Sequence, residues 1–389
     1  MQATDRLSKL MEKIDADVIE DCGIGLLSGK TGISLLYYYY YLYSSDYYYY
    51  SRGKEILNDV SNIISRGYKY PTFCDGISGY CWSIRHLHTI GMADRNDLDH
   101  LNAFDDFLCS EMLGEIKNGS FDYLHSSLGY VLNFIDRDDF NKFSKVFEVL
   151  IDQLKAHRIV ENDNSFRWDT VYESKPACVL GLAHGMSSII FLLSKLYLKG
   201  IKCVEVKELL LRSIDFIQKQ RISYEKFDAK FPLVVCNNNE MILGRRIGWC
   251  NGELTLGTSM YYAAEALGDR KLSDSYIENI HDLCNITDVK KEHLDNISIC
   301  HGMTGISLIY QVLHLQKPVE LFKSTSERWL NASFNYYFAN EESFINKSDD
   351  SIISKEKRLS LLDGLSGLAF TELTSRTGSY KWTSSLLLC

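Results

Sequence analysis

Two short stretches of the chain carry residue types that bind transition metals. Cys300 and His301 stand side by side before Gly302, and Cys250 stands two residues before Gly252 in the sequence WCNG. Two thiols and one imidazole form a ligand set for Zn²⁺, and three protein ligands leave a fourth tetrahedral position open, as in catalytic zinc sites. Neighbouring residues can bind one metal only where the backbone turns sharply, which Gly302 favours. These residues are therefore candidate ligands for one zinc ion per chain, and the structural alternative is that the cysteines pack in the core and the histidine is only hydrogen-bonded.

Further polar residues stand in similar glycine-containing stretches. His184 precedes Gly185, and Asp122 and His125 belong to the sequence FDYLH. Each has a structural alternative, because a lone aspartate often caps a helix and a lone histidine is often only hydrogen-bonded. The residue types alone leave these alternatives open.

The stretches belong to a repeating pattern that sets the fold prediction. Seven glycine-rich turns, most with the form Gly-x-x-Gly, occur at intervals of 47, 50, 59, 67, 50 and 62 residues. The first small residue of each is, in order, Gly29, Gly76, Ser126, Gly185, Gly252, Gly302 and Gly364. A recurrence on this scale is typical of an array of supersecondary units.

Each unit is predicted to contain two helices. The segments after the turns, such as residues 187–198, are apolar on nearly all sides, which indicates buried helices. The segments between them, such as residues 141–159, are amphipathic. Prolines number only four and strand signals are sparse. We therefore predict an all-α fold of about 14 helices in seven repeats.

The ten-tyrosine tract at 35–53 is interpreted as core packing with a solvent-exposed edge. The polar run 346–358 is interpreted as an exposed loop.

Composition excludes several classes of protein. The net charge is −9 and the pI is about 5.6, without a dense basic patch, so a nucleic-acid partner is not expected. No segment is long and apolar enough to be a transmembrane helix. The charged N-terminus carries Leu7, Leu10, Met11 and Ile14 at helical spacing and is interpreted as an amphipathic helix, neither a signal peptide nor an anchor. The eleven scattered cysteines favour a reduced, cytoplasmic protein.

The chain resembles the lanthionine synthetase C-like family, the lanthipeptide cyclases. The resemblance rests on GWCNGE (248–253), ICHGMTGI (299–306), GLAHGM (181–186), FDYLH (121–125) and the remaining Gly-x-x-Gly turns, which span nearly the whole chain. It implies a single domain over residues 1–389, an α/α toroid with an inner and an outer ring of helices. It also implies zinc bound by Cys250, Cys300 and His301.

The resemblance implies a reaction and roles for three further residues. The family adds a peptide cysteine thiol to dehydroalanine or dehydrobutyrine, which gives a thioether ring. His184 corresponds to the histidine thought to transfer a proton, and an imidazole with an ordinary pKa near 6.5 suits an acid that protonates the enolate. Asp122 would orient or charge-stabilise His184. Arg246, four residues before the first zinc cysteine, would hold the enolate oxygen or a nearby carbonyl.

The chain departs from the family pattern at a few positions. Asn251 stands where tyrosine is frequent, turn five continues as GELT instead of reaching a second glycine, and Ser126 and Ser188 replace usual glycines. These departures keep open the alternative of a zinc-binding, non-catalytic protein that holds a thiol or a peptide. A zinc-dependent prenyltransferase subunit does not match, because its usual ligands are Asp, Cys and His. The expected partner is a dehydrated precursor peptide, with a separate dehydratase and a transporter as further candidates.

Overall fold

A computed structural model describes residues 3–17, 22–237, 240–341 and 355–389, which are mostly helical. The chain packs as two compact units. The first comprises residues 1–105, 294–387 and 389, and the second comprises residues 106–293 and 388. None of the described helices combines the length and the apolarity needed to cross a membrane. The single domain expected over residues 1–389 stays a prediction.

The α-helices, in chain order, are α1 (Ala3–Asp17), α2 (Lys30–Ser44), α3 (Tyr47–Ser65), α4 (Ile77–Thr89), α5 (Arg95–Leu101), α6 (Asp105–Lys117), α7 (Ser127–Ile135), α8 (Ser144–His157), α9 (Met186–Leu198), α10 (Cys203–Lys219), α11 (Tyr224–Phe227), α12 (Glu253–Leu267), α13 (Arg270–Leu283), α14 (Met303–Gln316), α15 (Glu320–Ala339), α16 (Lys355–Leu359) and α17 (Leu365–Thr377). Each of the seven glycine-rich turns is followed directly by a helix, namely α2, α4, α7, α9, α12, α14 and α17. These seven helices are buried over most of their length, as their all-round apolarity predicts.

The first unit contains the tyrosine tract, which joins helices α1, α2 and α3. Tyr37 to Tyr40 are buried in α2, whereas Tyr47 and Tyr48 at the start of α3 are exposed. The Tyr37 hydroxyl donates to Asp15 of α1 over 2.9 Å, and Tyr40 meets Tyr49 edge to face with ring centroids 4.6 Å apart. The interpretation as core packing with a solvent-exposed edge is confirmed.

The second unit adds a small sheet that the all-α prediction left out. Strands β1 (Ile159–Val160) and β2 (Phe166–Arg167) form one antiparallel pair. Strands β3 (Thr170–Tyr172), β4 (Lys175–Val179), β5 (Val234–Cys236) and β6 (Met241–Ile242) form an antiparallel sheet in that order. In the central pairing, Cys178 is opposite Val235. Five of these six strands have only two or three residues, too few for the alternation that identifies a strand in a sequence. The five residues of β4 do not alternate, because the first two are exposed and the last three are buried.

The glycine-rich turns owe their glycines to close approach more than to backbone freedom. In six turns the residue before the helix is extended, as in Gly29 with φ −141° and Ser126 with φ −147°. Any residue can adopt such angles. A Cβ on Gly185 would overlap the main-chain carbonyl of Val179, so the chain there approaches too closely for a side chain. Gly252 alone among the seven has a positive φ, +116°.

Two local predictions can be compared with these elements. The predicted N-terminal amphipathic helix is confirmed as α1, with Leu7, Leu10, Met11 and Ile14 buried. The predicted loop at 346–358 falls partly outside the described residues, and its described end begins helix α16. That end is therefore not a loop.

Candidate metal and proton-transfer site

In the first unit, the turn before α14 brings a thiol and an imidazole together. The Sγ of Cys300 lies 3.7 Å from Nε2 of His301. The turn is fixed locally, because the His301 amide donates to the Ser298 hydroxyl over 2.9 Å and the Gly302 amide donates to the Ser298 carbonyl over 3.1 Å. Cys300 is buried and His301 is exposed. A metal bound here would therefore face solvent on its histidine side.

The separation of these two atoms fits one tetrahedral zinc ion. Bonds of about 2.3 Å to sulfur and about 2.0–2.1 Å to nitrogen, at a tetrahedral angle, place the two donor atoms about 3.6 Å apart. The observed distance is 3.7 Å. Cys300 and His301 can thus bind the same ion despite being neighbours in the chain.

Main-chain hydrogen bonds join this turn to the other turns of the first unit. The amides of Ile299 and Cys300 both donate to the Leu362 carbonyl, over 2.8 and 3.1 Å. The Leu362 amide donates to the Leu27 carbonyl over 2.8 Å, and the Leu27 amide donates to the Cys74 carbonyl over 3.0 Å. Main-chain hydrogen bonds therefore connect equivalent residues of four turns, and they restrict the movement of Cys300.

In the second unit, the Cys250 turn is joined in the same way to the turn that carries His184. The Cys250 carbonyl accepts from the amides of Leu182 and Ala183, over 2.9 and 3.1 Å. A Cβ on Gly181 would lie 2.7 Å from that carbonyl oxygen, so the close approach requires glycine. Cys250 is buried with 7% of its surface exposed. The second predicted thiol ligand and the predicted proton donor therefore lie on directly bonded turns.

His184 pairs with Asp122 as expected for a positioned acid. Its Nδ1 lies 2.5 Å from Oδ2 of Asp122, and Oδ1 of the same carboxylate accepts from the His125 amide over 2.7 Å. The hydrogen bond to Asp122 raises the pKa of His184, and a smaller electrostatic contribution from Cys250 acts in the same direction. The His125 ring stacks on His184 with centroids 6.2 Å apart. The carboxylate thus orients the imidazole and favours its protonated form.

Arg246 has carboxylate partners that the sequence did not reveal. Its amide and its Nε donate to the two carboxylate oxygens of Glu292, over 2.6 and 2.7 Å, and its Nη2 lies 2.5 Å from Oε1. Its Nη1 donates to Asp228 over 3.2 Å. Glu292 is 46 residues from Arg246 in the sequence, and no spacing rule connects them. The predicted contact of Arg246 with an enolate stays a prediction.

Trp249 and Tyr123 pack beside these residues. Trp249, next to Cys250, is fully buried, and its ring meets Tyr123 with centroids 6.5 Å apart. Tyr123 follows Asp122 directly. This aromatic contact adds apolar support between the segments that carry Asp122 and Cys250.

Comparisons with known proteins extend over nearly the whole chain. A family model described as lanthionine synthetase C-like protein matches residues 21–387. The nisin biosynthesis protein NisC of Lactococcus lactis subsp. lactis is 23% identical over 368 residues, which cover 86% of this chain and 82% of that protein. The solved structure of nisin cyclase is similar with a TM-score of 0.77 at 19% identity, covering 99% of this chain and 97% of that chain. At this identity the structural likeness concerns the fold.

Proposed function

Because the chain belongs to the lanthionine synthetase C-like family, we propose that it is a zinc-dependent peptide cyclase. Its substrate would be a dehydrated precursor peptide, in which a cysteine thiol adds to dehydroalanine or dehydrobutyrine to form a lanthionine or methyllanthionine ring. The observation that carries the proposal is the convergence of the Cys300 thiol and the His301 imidazole, 3.7 Å apart, in a chain that the family model matches. We also propose the family's α/α toroid of about seven two-helix repeats, which the likeness to nisin cyclase supports.

The metal ligands in this proposal are Cys250, Cys300 and His301. Both cysteines stand two residues before the glycine that precedes a helix, and both are buried. When bound, zinc supplies a Lewis acid that favours the nucleophilic thiolate of the substrate cysteine over its thiol, whose ordinary pKa is about 8.5. The turns hold the two protein thiols in buried positions.

The proton for the second half of the addition comes from His184. Attack of the substrate thiolate on the β-carbon forms the carbon–sulfur bond and leaves the electron pair on the enolate. The α-carbon then accepts a proton, and the Nε2 of His184 carries it, because Nδ1 faces Asp122. The raised pKa of His184 keeps more of the imidazole protonated near neutral pH.

Zinc content tests the ligand set without a substrate. We expect about one zinc ion per chain in the parent protein and loss of zinc in Cys250→Ala, Cys300→Ala and His301→Ala. The matched control is Cys284→Ala, which removes an equally buried thiol from the end of α13. A folded parent that binds no zinc when zinc is supplied would refute the mechanism.

Cyclisation of a dehydrated peptide tests the reaction itself. We expect the parent to consume the thiol of a synthetic peptide that contains one cysteine and one dehydroalanine, measured by alkylation and mass spectrometry. His184→Ala should retain zinc but lose this activity by roughly 100-fold or more. A parent that binds zinc and peptide without consuming the thiol would instead indicate the non-catalytic binding protein.

A further inference from the structure

Glu292 is an almost completely buried carboxylate with no part in the chemistry described above. Only 1% of its surface is exposed, and it holds Arg246, which is 9% exposed. Three contacts join them, two from the guanidinium and one from the Arg246 amide. Because the amide takes part, the carboxylate fixes the backbone of Arg246 as well as its side chain.

The backbone of Arg246 lies against the turn that carries Cys250. The Arg246 carbonyl accepts from the Leu254 amide, in the first turn of α12, over 3.0 Å. A Cβ on Gly252 would lie 2.8 Å from the same carbonyl oxygen. A shift of Arg246 would therefore move Gly252 and, two residues earlier, Cys250.

The charges around Arg246 are balanced within the second unit. Arg246 contacts both Glu292 and Asp228, and Lys291 forms an ion pair with Asp228. Two cations therefore face two carboxylates. A guanidinium held by two carboxylates in this way is well suited to keep a fixed position.

We propose that Glu292 is a positioning residue for the metal site, which acts through Arg246 to hold Cys250 in its ligand geometry. The inference rests on the proposed function, since it takes Cys250 to be a zinc ligand. Partners that orient metal ligands typically change metal affinity by 10–100-fold when they are lost. We therefore expect a rise of about that size in the zinc dissociation constant of Glu292→Gln.

Zinc affinity must be separated from loss of stability, because breaking a buried ion pair destabilises a fold. The matched control is Glu372→Gln in the first unit, where an equally buried carboxylate holds Arg6 and Arg376. This control should unfold at lower urea concentration but bind zinc as the parent does. A second variant, Arg246→Met with Glu292→Leu, replaces the pair by apolar side chains and should recover stability without recovering zinc affinity.

Chelator competition measures the zinc dissociation constant of each variant, and urea unfolding measures its stability. Alkylation of Cys250 in zinc-free protein, followed by peptide mass mapping, gives a readout that needs no metal. We expect Cys250 to react faster in Glu292→Gln and at the parental rate in Glu372→Gln.

Unchanged alkylation of Cys250 and unchanged zinc affinity in Glu292→Gln would each overturn the inference. Full recovery of zinc affinity in the apolar double variant would also overturn it. A parent without zinc would instead overturn the proposed function, and the alkylation rates would still decide the role of Glu292.

Discussion

The bond between the His184 turn and the Cys250 turn can be tested by adding one methyl group. In Gly181→Ala, the new Cβ would lie 2.7 Å from the Cys250 carbonyl oxygen and 2.9 Å from Cβ of Asn251. Ordinary van der Waals contacts begin at 3.4 Å, so the two turns must separate by about 0.7 Å. The two hydrogen bonds from Leu182 and Ala183 to that carbonyl would stretch or break. At about 1 kcal/mol each, their loss lowers the free energy of unfolding by about 2 kcal/mol.

The same displacement should weaken zinc binding and catalysis. We expect a roughly tenfold or larger rise in the zinc dissociation constant, because Cys250, one of the proposed ligands, would be displaced. Cyclisation of a dehydrated peptide should fall by up to about 100-fold, since an error near 1 Å in a reacting constellation has that effect. Urea unfolding, chelator competition and thiol consumption measure the three quantities.

Gly114→Ala is the matched control for this substitution. Gly114 lies in helix α6 of the same unit, and its added Cβ would meet nothing within 4 Å. Alanine in a helix interior is favoured over glycine by about 0.5–1 kcal/mol, so the control should be slightly stabilised and otherwise parental. If Gly181→Ala binds zinc and cyclises peptide as the control does, the two turns are not coupled in the way that the hydrogen bonds indicate.

Two further predictions concern pH. In Asp122→Asn, the main cause of the raised pKa of His184 is removed, so the alkaline limb of the cyclisation rate should move to lower pH; an unmoved limb in the pH–rate profile would contradict the role of His184 as the acid. Burial lowers the pKa of His86 to about 4. As the pH falls from about 6.5 to about 4, His86 is therefore protonated in the unfolded chain but stays neutral in the folded chain. Over this pH range the free energy of unfolding should fall by on the order of 3 kcal/mol. His86→Phe should remove this part of the pH dependence of urea unfolding, whereas the exposed control His88→Phe should keep it; equal slopes in both variants would contradict the assignment.

The helical pattern of the fold could be read from the sequence because its signals are local. The buried helices after the turns are apolar on all sides, and the amphipathic α1 and α8 show one apolar face each, so periodicity alone identifies them. The strands could not be predicted in this way. Val234 and Ile242 pair only because distant segments meet, and two or three residues carry no periodicity of their own.

The reason for the glycines was only partly predictable. The sequence suggests either a positive φ or a close approach, and a pattern of residue types does not separate the two. The structure assigns the first reason to Gly252 and the second to turns such as that of Gly185. At Ser126, where the chain departs from glycine, the backbone is equally extended and the hydroxyl donates to Glu115 over 2.7 Å.

The candidate site residues can be selected from the sequence by their type, but the residues that hold them cannot. Asp122 and His184 were expected to interact, and they do so at 2.5 Å. Glu292 and Asp228 cannot be identified from the sequence, because nothing in it distinguishes an acid that becomes an ion-pair partner from the many solvated acids of a chain with net charge −9. Burial and partners, which distinguish them, exist only after folding.

Under the proposed reaction, these supporting residues answer a specific mechanical requirement. Sulfur adds to one carbon of the dehydroamino acid and the proton adds to the adjacent carbon. The nucleophile and the acid must therefore keep a fixed position relative to each other. The carbonyl of Cys250 accepts from the two amides that precede His184, and the start of the helix after Cys250 is held by Arg246, which Glu292 holds in turn. A displacement of Cys250 therefore meets resistance from the same turn that carries the acid, and the two groups tend to move together. Loss of either support should thus impair thiol addition and protonation together, although neither support touches the substrate.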